Sequence, residues 1–236
     1  VRGVAQASYV YTATKPKAEA RTLVRVVVGV HDARALSAPF ERAVFAASSV
    51  VRASERKRIA RAIRSVVRGS LRTVRGWRGL AETVGREHPS LLTLVTHTID
   101  DGDERGDVVL QLELSGRSLA AANLTAAHIR GPDAARPLVL LVGCDTRAPL
   151  AGYRGFAGRF LRHGAAIVVC TIAAISPDDA VDFLEQFAGT LRDTASGEAI
   201  AFGELMLAVR QRLFGVRWPM ALGVVSCGDA MWYLDR

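Results

Sequence analysis

Apolar positions along the chain fall into short, nearly unbroken runs separated by amphipathic stretches. "TLVRVVVGV" (22–30), "SLLTLVTH" (90–97), "PLVLLVGC" (137–144) and "AAIVVCTI" (165–172) carry β-branched residues and Leu with little polar interruption. Runs of this length and composition are the mark of strands buried on both faces. Between the first two, Ile59, Ile63, Val66 and Val67 recur at helical spacing with arginines filling the intervening positions. The spacing predicts helical segments from about residue 40 to 87, opened near Pro39 just after Ser37. "VVLQLEL" (108–114) alternates like a hairpin arm turned by Gly116, and "SLAAANLTAAHI" (118–129) reads as helical. "YRGFAGRFLRHG" (153–164) reads as a helix closed by Gly164, further helices follow over about 177–194 and 197–213, and "MALGVVSCG" and "AMWYL" close the chain as short strands. Apolar strands alternating with helices predict an α/β fold, a mostly parallel sheet with helices on both faces.

In such sheets ligands and chemistry sit beyond the carboxyl ends of the strands. Cys144 ends "PLVLLVGC" and His97 ends "SLLTLVTH", so two strands deliver a thiol and an imidazole to one edge if they are neighbours. A thiol nucleophile needs such a partner near its sulfur. Each residue also has a plainer role: a buried cysteine fills space as a small hydrophobe, and a loop histidine caps or faces solvent. Cys170 lies inside its strand, Cys227 has no evident partner, and His31, also at a strand end, competes with His97 for the role of base.

Composition narrows the chemistry further. The 236 residues suffice for one large domain, and no run reaches the roughly 18 apolar residues of a membrane span. The start "VRGVAQASYV" lacks a signal-peptide pattern and an initiating Met, so the chain is read as a fragment or a cleaved product. Three widely spaced cysteines form neither a disulfide framework nor a zinc site, which points to a reducing cytoplasm. No phosphate-binding glycine loop with its lysine is present, and no metal or other cofactor is expected. The abundance of Arg, Ala and Val suggests a GC-rich bacterial genome. Residues 1–90 hold 18 Lys and Arg against 6 Asp and Glu, while the remainder holds 13 against 17, which together give the net +8. Most of the excess lies in residues 52–79, either a basic helical face in solvent or a contact for nucleic acid; the near absence of aromatics there favours the former.

The ordered set "LLTLVTH", "VVLQLELSGRSLAAANL", "PLVLLVGCDT", "GFAGRFLRHGAAIVVCTIAAISPDDAVDFLEQFAGTL" and "GEAIAFGELMLAVRQRL" resembles the CHAT domain, the caspase-like, separase-related peptidase family. The resemblance runs over roughly residues 20–234 and is most specific over 91–210. It implies a caspase-like three-layer sandwich, with 1–236 a single domain and a basic helical segment about 40–87 between the first two core strands. It implies a cysteine peptidase with Cys144 as nucleophile and His97 as acid and base, and the backbone amides of Cys144 and Thr98 at the oxyanion. The family usually has Gly after the catalytic His, where this chain has Thr98, and a Trp after the fourth strand, where this chain has alanines. The loop after the first strand and the residue after the nucleophile usually line the primary pocket, here Asp32 and Asp145. Asp178 falls where the family's motif acid lies. Carboxylates there imply cleavage after a basic residue. The resemblance further implies a protein substrate and control by a sensor or repeat module, with an immune-defence role by analogy. A catalytically silent scaffold, or an effector touching nucleic acid through the basic N-terminal helices, are the alternatives.

Overall fold

The computed structural model describes residues 6–8, 27–29, 35–37, 40–100, 108–111, 119–131, 134–143, 155–171, 175–194, 199–218, 221–228 and 232–235. The chain divides into two compact units, Val1–Arg34 and Ala35–Arg236. In the first, strand β1 (Gln6–Ser8) pairs antiparallel with β2 (Val27–Gly29).

The second unit is built on a six-stranded sheet. Its elements, in order, are β3 (Ala35–Ser37), β4 (Phe40–Ala47), α1 (Ala53–Arg64), β5 (Val67–Val74), α2 (Gly76–Glu87), β6 (Leu91–Asp100), β7 (Val108–Gln111) and β8 (Leu119–Ala120). Then follow β9 (Leu138–Gly143), α3 (Phe156–Arg162), β10 (Ile167–Thr171), α4 (Pro177–Thr194), β11 (Ile200–Ala201), α5 (Phe202–Gly215), β12 (Val224–Gly228) and β13 (Tyr233–Asp235). The sheet order is β12-β10-β9-β6-β4-β5, parallel throughout except for β12, which runs antiparallel to β10. The chain moves outward from β4 to β5, then returns to the other side of β4 with β6. This is the doubly wound order, in which the carboxyl ends of the strands at the reversal, here beside β6, are the usual place for a ligand. Outside this sheet, β7 and β8 extend from the far end of β6, and β11, β13 and β3 form a three-stranded ribbon.

Two apolar layers enclose the sheet. On one face Ile59 and Ile63 of α1, Val181, Leu184 and Phe187 of α4, and Leu205 and Val209 of α5 pack on Phe45, Leu91, Leu140 and Val169. On the other, Trp77, Leu80 and Val84 of α2 and Phe156 and Phe160 of α3 pack on Val44, Leu92, Val139 and Val168. The result is the three-layer α/β sandwich expected from the sequence, with the sheet as its middle layer.

Several element assignments differ from the pattern-based reading. The stretch about 40–87, expected to be helical between the first two core strands, contains two strands of the central sheet, β4 and β5, as well as α1 and α2. "FERAVFAA" reads as a helix because it is rich in alanine, but a strand buried on both faces shows an unbroken small-apolar run rather than a period of two. In "VRGSLRTV" the arginines sit on an edge strand, where charge discourages pairing with other chains. Of "TLVRVVVGV" only Val27–Gly29 is a described strand, and it pairs with β1 rather than entering the central sheet. A Val-rich run satisfies either setting, so periodicity alone does not select one. The helix expected at 118–129 is replaced by β8 and two short 3-10 turns. There the Thr125 N–H donates to His128 Nδ1 at 3.2 Å, a local bond that competes with a continuing helix.

The basic helix is tied to its neighbour by charge. Arg52 reaches both carboxylate oxygens of Asp178 at 3.1 Å, and Arg58 reaches Glu185 at 2.7 Å and Asp182 at 3.5 Å, so this flank of α1 faces the acidic flank of α4. At the start of α1 the buried Glu55 carboxylate accepts from the Arg52 backbone N–H and from its Nε, each at 2.6 Å. Burial pushes the Glu55 carboxyl upward, but the Arg52 side-chain and backbone hydrogen bonds outweigh it and hold the group below its ordinary value of 4.5.

Two stability predictions follow from this packing. Phe45→Ala, in the strand buried on both faces, should cost about 3–5 kcal/mol in denaturant unfolding. Glu55→Gln should lower the melting temperature at neutral pH, because a depressed carboxyl contributes stability that is complete above its unfolded value. The gap between variant and wild type should close as pH falls below 4.5 and through the lowered folded value, in a series of thermal melts.

Candidate active site at the ends of two parallel strands

The first five residues of β6 are clamped on both sides, and the sixth on one. Leu91–Val95 pair with Ala43–Ala47 of β4 on one edge, and Leu91–Thr96 pair with Leu138–Gly143 of β9 on the other. From His97 onward the strand leaves the parallel sheet and pairs antiparallel with β7, His97 opposite Gln111 and Thr98 opposite Leu110. His97 therefore stands where the core strand becomes a hairpin arm. It is half-buried, and its Nδ1 is enclosed with no hydrogen-bond partner among the described residues. A buried polar atom without a partner calls for an explanation, and a catalytic role is one.

Strand β9 is buried along its whole length, and its last pair with β6 is Gly143 opposite Thr96. The approach is so close that a Cβ on Gly143 would come within 2.6 Å of Thr96 Oγ1 and 2.7 Å of the Thr96 carbonyl oxygen. Backbone cannot yield as a flexible side chain would, so glycine is required there. On the opposite side the buried Thr171 hydroxyl, at the end of β10, accepts from the Gly143 N–H at 3.2 Å and donates to the Gly143 carbonyl at 3.0 Å. Under this pair, Val95, Thr96 and Gly143 meet Val50, Val51, Ile175, Ser176, Pro177 and Ala180 around a void of only about 10 Å³. The start of α4 is fixed there by reciprocal hydrogen bonds: the Ser176 hydroxyl accepts from the Asp179 N–H at 3.1 Å and donates to the Asp179 carboxylate at 2.7 Å.

Strands β6, which carries His97, and β9, which Cys144 follows in sequence, are thus neighbours. Cys144, Asp145, Asp32 and His31 lie outside the described residues, and Thr98 is described by its backbone pairing alone. Asp178 lies in the first turn of α4, where its carboxylate is held by Arg52. No motif marks Thr171 or the fit between Thr96 and Gly143; these residues are 28 and 47 positions from their partners, and only sheet order brings them together. Among the described residues no group of three or more His, Cys, Asp or Glu side chains could hold a metal ion. No described helix is long and apolar enough to cross a membrane.

Cys227, for which the sequence suggested no partner, has one. It sits on β12 opposite Val168, diagonal to Cys170 on β10, and the two thiols interact. A hydrogen bond from the Cys170 thiol stabilises the Cys227 thiolate and lowers its pKa, while the same bond, and then burial, push Cys170 up. Brief treatment with iodoacetamide at neutral pH should therefore modify Cys227 ahead of Cys170, as read by peptide mass mapping. Cys170→Ala should slow alkylation of Cys227 by removing the donor.

The sequence matches the CHAT domain description over residues 4–213. In fold the chain is similar to the Arg specific cysteine proteinase gingipain R, with a TM-score of 0.55 and 12% identity, over 83% of this chain and 48% of that one. It spans about half of the gingipain chain. Over 55 residues the chain is 53% identical to a probable cytosol aminopeptidase of Acidovorax ebreus (strain TPSY), and over 55 residues it is 51% identical to one of Verminephrobacter eiseniae (strain EF01-2). Each of these matches covers 23% of this chain and only 11% of the aminopeptidase, too short a share to describe the whole. The strand order, the paired strand ends and the match across most of the sequence agree: the chain belongs to the CHAT domain family.

Proposed function

We propose that the protein is a cysteine endopeptidase that cleaves a protein substrate through Cys144 and His97. The observation that carries this reading is the pairing of Thr96 with Gly143, since the next residue in one strand is His97 and in the other Cys144. Membership of a cysteine-peptidase family and a gingipain-like fold support it.

In this mechanism the Cys144 thiolate attacks the scissile carbonyl carbon, forming a C–S bond while the carbonyl electron pair moves onto oxygen. Backbone amides at Cys144 and Thr98 stabilise that oxyanion. Collapse of the intermediate breaks the C–N bond, and the His97 imidazolium gives its proton to the leaving amine. Water, deprotonated by His97, then hydrolyses the thioester and frees the thiol. The unpartnered Nδ1 of His97 suits this work, because no bond among the described residues has to break before the ring engages a thiol or a water.

A preference for cleavage after Arg or Lys is proposed from the acids that the resemblance implicates. Asp145 follows the nucleophile directly and would pair with a guanidinium through two parallel hydrogen bonds. Asp32 is the second candidate. Asp178 would have to exchange its contact with Arg52 for the substrate. Control by a sensor or repeat module, in the same polypeptide or in a partner, and action in the bacterial cytoplasm during immune defence belong to the same proposal.

Peptide amides ending in Arg, Lys, Leu or Asp at the cleavage position test it. Cys144→Ala should abolish turnover, and His97→Ala should lower kcat/KM by about a hundredfold or more. Asp145→Asn should reduce turnover of the Arg substrate far more than that of the Leu substrate. Cleavage that survives in Cys144→Ala would sink the assignment, and equal cleavage after Arg, Leu and Asp would remove the specificity.

A further inference from the structure

Thr171 does something unusual for a side chain at the end of a parallel strand. Among the described residues the backbone register between β10 and β9 runs to Cys170 opposite Leu141. Beyond it, the hydroxyl of Thr171 engages both main-chain polar groups of Gly143. Thr171 is 1% exposed, so the arrangement is sealed from solvent and its hydrogen bonds do not compete with water. Gly143 is held from the other side by its contact with Thr96. One residue is thus fixed from both flanks, immediately before Cys144.

The peptide bond adds the next step. Its atoms are coplanar and its carbonyl and N–H point in opposite directions when trans. The Gly143 carbonyl shares its plane with the N–H of the following residue, Cys144. We propose that Thr171 is the positioning residue for the oxyanion-binding amide: by gripping the Gly143 carbonyl on the β10 side, its hydroxyl aims the Cys144 N–H toward the β6 side, where His97 follows Thr96. Donation to the carbonyl also polarises the peptide, which makes that N–H a stronger donor. The inference rests on the Cys144–His97 reading. It adds to that reading a residue that never touches substrate but sets the direction of the group that does.

Two electrophiles separate an oxyanion effect from loss of structure. A peptide aldehyde is attacked at its carbonyl carbon, forming a C–S bond and an oxygen that takes the imidazolium proton, so its affinity depends on the oxyanion donors. Iodoacetamide alkylates the thiol by displacing iodide and develops no oxyanion. The full chain is treated with aldehydes ending in Arg, Lys, Leu or Asp, the tightest is chosen, and adducts are mapped by mass spectrometry. Thr171→Val, which keeps the shape and deletes the hydroxyl, should weaken aldehyde binding by about tenfold or more. The rate of iodoacetamide labelling at Cys144 should stay within about twofold, and Thr171→Ser should restore aldehyde affinity. If Val unfolds the chain, the same comparison is made with Thr171→Ala at a lower temperature. Unchanged aldehyde affinity, or an equal loss with both reagents, overturns the proposal, the second outcome meaning that Thr171 only finishes the sheet. Failure of all four aldehydes to modify Cys144 in the wild type overturns instead the dyad on which it rests.

Discussion

The close approach of two parallel strands at their carboxyl ends is the constraint on which the rest of the candidate site depends. Thr96 and Gly143 meet with no room for a Cβ between them, and this contact sets how far apart the following residues of the two strands begin. Thr171 closes the other flank of Gly143, so the end of β9 is held from both sides, by β6 and by β10. A site built at the end of a sheet inherits the rigidity of the sheet, whereas the segments beyond it are free to differ in length and chemistry. That division explains how one fold can hold a nucleophile in place while the surrounding loops set the substrate.

The sheet is rigid because both its faces are covered. Five of its six strands run parallel, and parallel strands survive only where helices shield them from water. The apolar residues of β4, β6, β9 and β10 serve two layers, with α1, α4 and α5 on one side and α2 and α3 on the other. Charge organises the outer surface. Arg52 and Arg58 are turned onto the acids of α4, so part of the basic excess in the first ninety residues has an internal structural use. These pairs are exposed and individually weak, and their role is to choose which flanks of the two helices meet rather than to hold the core together. Glu55 differs in being buried, so its bonds to Arg52 matter more to the start of α1.

The fold class was legible in the sequence, and so was the place of His97 at the end of a buried apolar run. Unbroken apolar runs at 90–97, 137–144 and 165–172 identify buried strands because a residue shielded on both faces has no polar alternation to show. His97 and Cys144 were conspicuous as polar residues at the ends of two such runs. The strand at 40–47 escaped the same test: its small residues fit a helix as well as a strand, and only its neighbours β5 and β6 select between them. The expected helix at 118–129 gives way to β8 and two 3-10 turns for a related reason, since a local hydrogen bond between Thr125 and His128 outweighs a favourable composition. Sheet order, the pairing of Thr96 with Gly143, the grip of Thr171 on that glycine and the meeting of Cys170 with Cys227 belong to the tertiary structure alone. The physical reason is that hydrophobic patterning records whether a residue is buried, a one-body property, whereas partners are decided by which buried surfaces meet, and that is settled only when the whole chain packs.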